Sequence, residues 1–156
     1  MEIEMAVSAI GLHPTQGAFV LLQTKERKMF LPIGIGVFEA QFMELKCRHI
    51  KTRRPLTHDT IRATIDALGG KLKKVVITDF REHAYCATLH LETRGGLVLT
   101  DARSSDAVIL ALGAQLPIYV EDSVLEAAAK AREDPRNPAV AEWFESLDPD
   151  DLGKKM

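Results

Sequence analysis

The sequence predicts an α+β fold: a mainly antiparallel sheet from two β-meanders, with helices packed on it. Three observations carry the expectation. Strand-like runs come in two groups of three, each followed by helix-like segments, so the order is strands, helices, strands, helices and not a regular βαβ repeat. Short polar turns, HPTQG at 13–17, KERK at 25–28, REH at 81–83 and RGG at 94–96, separate neighbouring strands closely enough for hairpins. Between the groups the apolar spacing changes from alternation to a helical period.

Residues 2–12 alternate, with Ile3, Met5 and Val7 on one face. The phase then slips to Ile10 and Leu12, which predicts a strand with a bulge near Ser8-Ala9. AFVLLQT at 18–24 reads as a buried strand. MFLPIGI at 29–35 is a third, with Pro32 near its end or at an edge. Residues 36–49 read as a helix whose broad apolar face carries Val37, Phe38, Ala40, Met43 and Leu45, with Phe42 partly on it.

Pro55 keeps Arg54 extended, and Thr57 stands where an N-cap belongs. Ile61, Ile65 and Leu68 then follow helical spacing until Gly69-Gly70 closes the helix. The runs at 71–80, 84–93 and 97–101 form the second meander. A helix follows Asp101 and ends at Gly113, LPIYV at 116–120 is a short strand, and residues 123–133 are a helix capped by Asp122 or Ser123. DPRNP breaks the pattern. AVAEWFESL at 139–147 then gathers Val140, Trp143, Phe144 and Leu147 on one side of a short helix. The expected organisation is an α+β domain over 1–133 and a short helix and tail over 134–156.

Bulk properties bound the function. With 156 residues, 46% hydrophobic and 27% charged, the chain is neither disordered nor fibrous, and it is long enough for a core without staples. No apolar run approaches the roughly 18 residues that span a membrane. The start, MEIEMAVSAIGLH, lacks the basic flank of a signal peptide. These features predict a soluble, cytoplasmic protein with no membrane partner. Cys47 and Cys86 lie too far apart for a CxxC pair and read as small buried hydrophobes. Charge is uneven: residues 1–120 carry 15 basic and 12 acidic side chains, residues 121–156 carry 5 and 10. KCRHIKTRR at 46–54 holds five basic residues and no acid, which suits either a solvated loop or a face for phosphates.

Two polar helix starts share a chemistry: Arg54-Pro55-Leu56-Thr57-His58-Asp59 and Asp101-Ala102-Arg103-Ser104-Ser105-Asp106. Each has an arginine, then a hydroxyl residue, then an aspartate in the first turn. Capping by Thr57 and by Ser104 or Ser105 explains the hydroxyls, and the helix dipole explains the aspartates. Thr60 and Ala107 or Val108 stand where Glu or Gln would complete a capping box. Capping leaves both arginines, His58 and Asp101 unexplained. An arginine at a helix N-terminus suits an anion, neighbouring carboxylates suit a divalent metal, and a histidine can move a proton.

LPIGIGVFEAQ, RRPLTHD, LTDARSSDAVILALG and PIYVEDSVLE, in this order and spacing, resemble the bifunctional nuclease domain over roughly residues 3–130. The resemblance implies an α+β domain, commonly dimeric, with nuclease activity on DNA and RNA. Its matching positions are Arg54, Thr57, His58, Asp59, Asp101, Arg103, Ser105 and Asp106, with Glu39 matching the acid of the first-helix element. Ser104 stands where the family often has proline, and Thr60 where an apolar residue is usual.

Three readings follow. In a metal-dependent nuclease of low sequence specificity, Asp59, Asp101 and Asp106, with Glu39 beside them, hold Mg²⁺ or Mn²⁺. His58 moves a proton, Arg103 and Arg54 neutralise the phosphate, and Lys46, Arg48, Lys51 and Arg53 hold the strand backbone, with Thr57 and Ser105 at the substrate. In a non-catalytic module the same helix starts bind an anionic ligand, a nucleic acid or a protein. In a structural reading they only cap helices and tie them to the sheet, across a homodimer interface included.

Overall fold

A computed structural model describes residues 1–13 and 17–133. The turn at 13–17 and the short helix at 139–147 fall partly or wholly outside the described residues. The described elements are β1 (Glu2–His13), β2 (Gly17–Gln23), β3 (Phe30–Ile35), α1 (Val37–Cys47), α2 (Thr57–Ala67), β4 (Lys71–Arg81), β5 (Ala84–Thr93), β6 (Gly96–Arg103), α3 (Ser104–Ala114), β7 (Ile118–Glu121) and α4 (Asp122–Glu133).

The fold is α+β, with one seven-stranded sheet in the order β3-β2-β1-β7-β4-β5-β6. Five of the neighbouring pairs are antiparallel. The sixth, β4 with β7, is parallel. The short strand β7 is the joint. It follows α3 and enters between β1 and β4, fusing the two groups of strands into one sheet. The bulge in β1 falls at Ser8: Val7 pairs with Leu22 and Ala9 with Leu21, while Ser8 Oγ donates to the Leu21 carbonyl at 3.3 Å.

The core lies between this sheet and the helices. β2 buries Ala18 to Leu22 in succession, and β4 buries Val75, Val76 and Ile77. Consecutive burial in a strand means that both faces are covered. α3 is the central helix. It packs on α1, α2, β4 and β5, and Ala107 to Ala111 are all buried. That is why it reads as apolar all round. α3 does not end at Gly113. It continues to Ala114, and Gln115 takes the left-handed cap (φ 55°, ψ 44°). Gly113 serves packing instead: a Cβ there would meet Arg62 Nη1 at 3.3 Å and Lys46 Cδ at 3.6 Å.

α1 is less buried than its spacing suggests. Met43 is its one fully buried residue, and Val37 and Phe38 are exposed. α4 begins at Asp122. Among the described residues no helix is long and apolar enough to cross a membrane.

Candidate active site

The starts of α1, α2 and α3 each carry a carboxylate in the third helical position: Glu39, Asp59 and Asp106. Thr57 is not the N-cap of α2. Leu56 is, with extended backbone, and Thr57 is the exposed first residue. Counted from Leu56, the capping partner is Asp59: the Leu56 N–H donates to Asp59 Oδ2 at 3.0 Å. α1 begins in the same way, the Gly36 N–H donating to Glu39 Oε2 at 2.7 Å. In α3 the N-cap is Arg103, so neither Ser104 nor Ser105 caps the helix. Both are buried.

These starts are bound to one another. His58 Nε2 lies 2.9 Å from Asp106 Oδ1. Arg103 donates from Nε to Asp106 Oδ2 at 2.9 Å and from Nη2 to Oδ1 at 3.2 Å, a two-point fork. Its Nη2 also stands 3.1 Å from Glu39 Oε1, and Ser105 Oγ donates to that same oxygen at 2.9 Å. Arg103 is thus the cation between two carboxylates, while remaining 71% exposed. Lys46, at the other end of α1, pairs with Asp59.

Burial pushes the Asp106 carboxyl up. Hydrogen bonds from Arg103 and His58, with their charges, outweigh it and hold the group below the usual aspartate range. The hydrogen bond from Lys46 holds Asp59 low, helped by the Leu56 N–H. Asp106 reciprocally holds the proton more firmly on Arg103.

His58 is buried, and the Phe42 ring lies 6.1 Å from it, centroid to centroid. A carboxylate only accepts, so the hydrogen sits on Nε2 and points at Asp106. In the neutral ring Nδ1 then bears the lone pair, and it is buried without a hydrogen-bond partner among the described residues. An aspartate that orients the ring and fixes its tautomer is one part of what proton transfer needs; access to the buried Nδ1 is the other.

The metal expectation fares differently. Asp101 lies on exposed β6, opposite Thr88, and the cation it affects is Arg81. Asp59 faces Lys46, and Glu39 and Asp106 share Arg103. Among the described residues no three His, Cys, Asp or Glu side chains form a group that could hold a metal ion. Among the described residues, Asp59, Asp101, Asp106 and Glu39 are thus not gathered into one donor set. The reason is local: each first-turn carboxylate is taken by a helix end, a cation or both.

The basic stretch divides. Lys46, Lys51, Arg53 and Arg54 line a cavity of 510 Å³ at the start of α2, where Asp59 is the one carboxylate in the wall. Arg48 does not join them; its Nη2 pairs with Glu44 Oε1 at 2.7 Å. Sequence reasoning missed Arg62, which completes the cavity and donates from Nη1 to the Gly113 carbonyl at 2.6 Å. Its position one turn after His58 was the available signal, since residues four apart share a helix face.

One α+β domain thus gathers at its helix starts an Asp–His pair, a shared arginine and a basic cavity. Comparison supplies the class. The chain belongs to the bifunctional nuclease domain family, whose model matches residues 20–133 and so spans Glu39, Arg54 to Asp59 and Asp101 to Asp106. An uncharacterized protein of Mycobacterium tuberculosis is 36% identical over 162 aligned positions, covering 94% of this chain and 96% of that protein. Bifunctional nuclease 2 of Oryza sativa subsp. japonica is 28% identical over 129 positions, which are 81% of this chain and 40% of the plant protein. Bifunctional nuclease 1 of Arabidopsis thaliana is 27% identical over 111 positions, 69% of this chain and 33% of that protein.

Proposed function

We propose that this chain is a nuclease that hydrolyses phosphodiester bonds of DNA and RNA with little sequence preference. The observation that carries the reading is the contact between His58 Nε2 and Asp106 Oδ1 at 2.9 Å, with Arg103 on the same carboxylate. Water attacks phosphorus and the P–O ester bond breaks. His58 Nδ1, which is buried in the closed fold, takes the water's proton once the ring is uncovered, and returns it to the departing oxygen. Asp106 holds the ring and stabilises its charged form, and the exposed Arg103 meets the charge that develops on the phosphate. Arg54, Lys51 and Arg53 hold the strand by its backbone, which carries no sequence information. The names of the plant relatives and the family support the substrate class.

Mg²⁺ or Mn²⁺ enters no step of this reading, because the carboxylates are engaged as described. The assay is cleavage of labelled single-stranded DNA and RNA, with Mg²⁺, with Mn²⁺ and with EDTA, by wild type and His58→Asn. Cutting in wild type that is lost in the variant supports the reading. Cutting that needs metal, yet is equal in both proteins, places the chemistry elsewhere.

One observation favours a second reading. His58 is only 6% exposed and each carboxylate already has a partner, which also suits a rigid strut beneath a binding surface. A non-catalytic nucleic-acid-binding module would bind strands through Lys51, Arg53 and Arg54 and turn none over.

A homodimer belongs to the same proposal. Among the described residues β6 is an unpaired sheet edge bearing exposed Leu97, Val98 and Leu99, whereas the opposite edge, β3, carries Pro32. Light scattering of wild type and Leu99→Lys tests it: a dimer that the substitution dissociates supports this edge, and a monomeric wild type removes it.

A further inference from the structure

We infer that the cavity beside α2 is a pocket for one nucleotide, a nucleoside bearing a phosphate monoester, and not merely a stretch of backbone-binding surface. The inference rests on the nucleic-acid reading for its choice of ligand, and on three features of the cavity for its form.

The first is shape. The charges gather around one half-open concavity. Lys51, Arg53 and Arg54 come from the connection between α1 and α2, Lys46 from α1 and Arg62 from α2, and all five border one concavity of 510 Å³. That volume falls within the range of about 300–1,000 Å³ of small-ligand pockets. Arg48, which would extend the charge outward as a stripe, is held by Glu44.

The second is charge. Lys46 and Asp59 neutralise each other. Among the described residues Lys51, Arg53 and Arg54 have no carboxylate partner, in a chain whose net charge is −2. A dianionic phosphate supplies what these three cations lack, and arginine meets it by two-point hydrogen bonding.

The third is the mixed lining. Leu45, Ile50 and Leu112 border the same cavity, and Ile50 is 47% exposed. Phosphate alone would leave that apolar surface wet, whereas a base and sugar cover it. The lining contains no aromatic ring other than His49, so the base is held by apolar contact and its identity is weakly read. Asp59 lines the cavity and directly follows His58 in the first turn of α2, while His58 and Asp106 themselves stand outside its wall. The nucleotide is either free in solution or the phosphorylated end of a strand.

The test is binding by the intact chain of fluorescently labelled AMP, competed by unlabelled AMP, CMP, adenosine, inorganic phosphate and a 5′-phosphorylated oligonucleotide. AMP and CMP are expected to compete similarly. Adenosine and inorganic phosphate are each expected to be weaker by at least about tenfold, the scale of one lost charge-assisted contact. Arg53→Ala/Arg54→Ala should lose binding by a similar factor, while keeping the wild-type melting temperature because both side chains are exposed. The oligonucleotide competing more strongly than AMP would assign the pocket to strand ends, and the reverse to free nucleotides.

Adenosine competing as well as AMP, phosphate competing as well as AMP, no saturable AMP binding, or an unaffected double variant would each overturn the inference. His58→Asn is expected to bind AMP as wild type does. Loss of cleavage with retained binding therefore separates the nuclease reading from this one.

Discussion

His58 Nε2 lies 2.9 Å from Asp106 Oδ1, although the two residues are 48 positions apart in the chain. The contact joins the first turn of α2 to the first turn of α3. Because Arg103 forks onto the same carboxylate, Asp106 is the point on which the site's geometry depends. Each first-turn carboxylate serves its own neighbourhood and also something beyond it: Glu39 the Gly36 N–H and Ser105, Asp59 the Leu56 N–H and Lys46, Asp106 Arg103 and His58.

Asp106→Asn is expected to destabilise the fold by about 1–3 kcal/mol at neutral pH, since it removes the charge from a partly buried hydrogen-bonded group. The pH dependence has a definite sign. Asp106 is held below its ordinary value of 3.8, so its contribution is present above that value and is lost as pH falls through the lower, folded-state value. Urea unfolding of both proteins from pH 7 downward checks this: the gap should close below about pH 4. A gap that stays constant to pH 3 would mean that Asn disturbs packing instead.

Lys46→Met should return the Asp59 carboxyl toward the ordinary aspartate range, because the hydrogen bond from Lys46 is the chief cause of its low value. Titration of the Asp59 side-chain carbon by NMR reads this directly. An unmoved Asp59 would mean that the Leu56 N–H alone accounts for the shift.

The hairpin between β4 and β5 turns through Glu82 and His83, both left-handed (φ 51° and 62°). Glu82 does not adopt this conformation easily, and glycine adopts it more readily than His83 does. Glu82→Asn/His83→Gly should raise stability by about 1 kcal/mol, seen as a higher melting temperature. No gain would show that these side chains make compensating contacts.

If Arg53 and Arg54 meet phosphates, log K for single-stranded DNA should fall linearly with log salt concentration, and each Ala substitution should flatten that slope by roughly 0.7. Titrations at several salt concentrations measure it. An unchanged slope would remove these arginines from the strand-binding surface.

Much of this was legible in the chain. The strands and helices follow from their apolar periods, and the Ser8 bulge from a phase slip. The parallel pairing of β7 between β1 and β4 was not, because sheet order is set by long-range packing that no local pattern records. At the site, His58 and Arg103 stood out as residues that capping did not need, whereas the helix dipole already accounted for Asp106. Their mutual contact depends on the packing of α1 and α2 against α3. Asp101, two positions before Arg103 in sequence, lies on an exposed strand opposite Thr88, with Arg81 the cation it affects, a placement that its sequence neighbours do not record. Thr57 misled because a hydroxyl before a helix resembles a cap, while the backbone places the cap one residue earlier, at Leu56.

The most direct test of the central claim is a double-mutant cycle on single-stranded RNA and DNA cleavage, using His58→Asn, Asp106→Asn and the double variant, each shown to be folded at the assay temperature. If His58 and Asp106 act as one proton-handling unit, each single variant loses about 10²–10⁴ in rate and the double variant loses little more. Cleavage by His58→Asn at the wild-type rate would contradict the account.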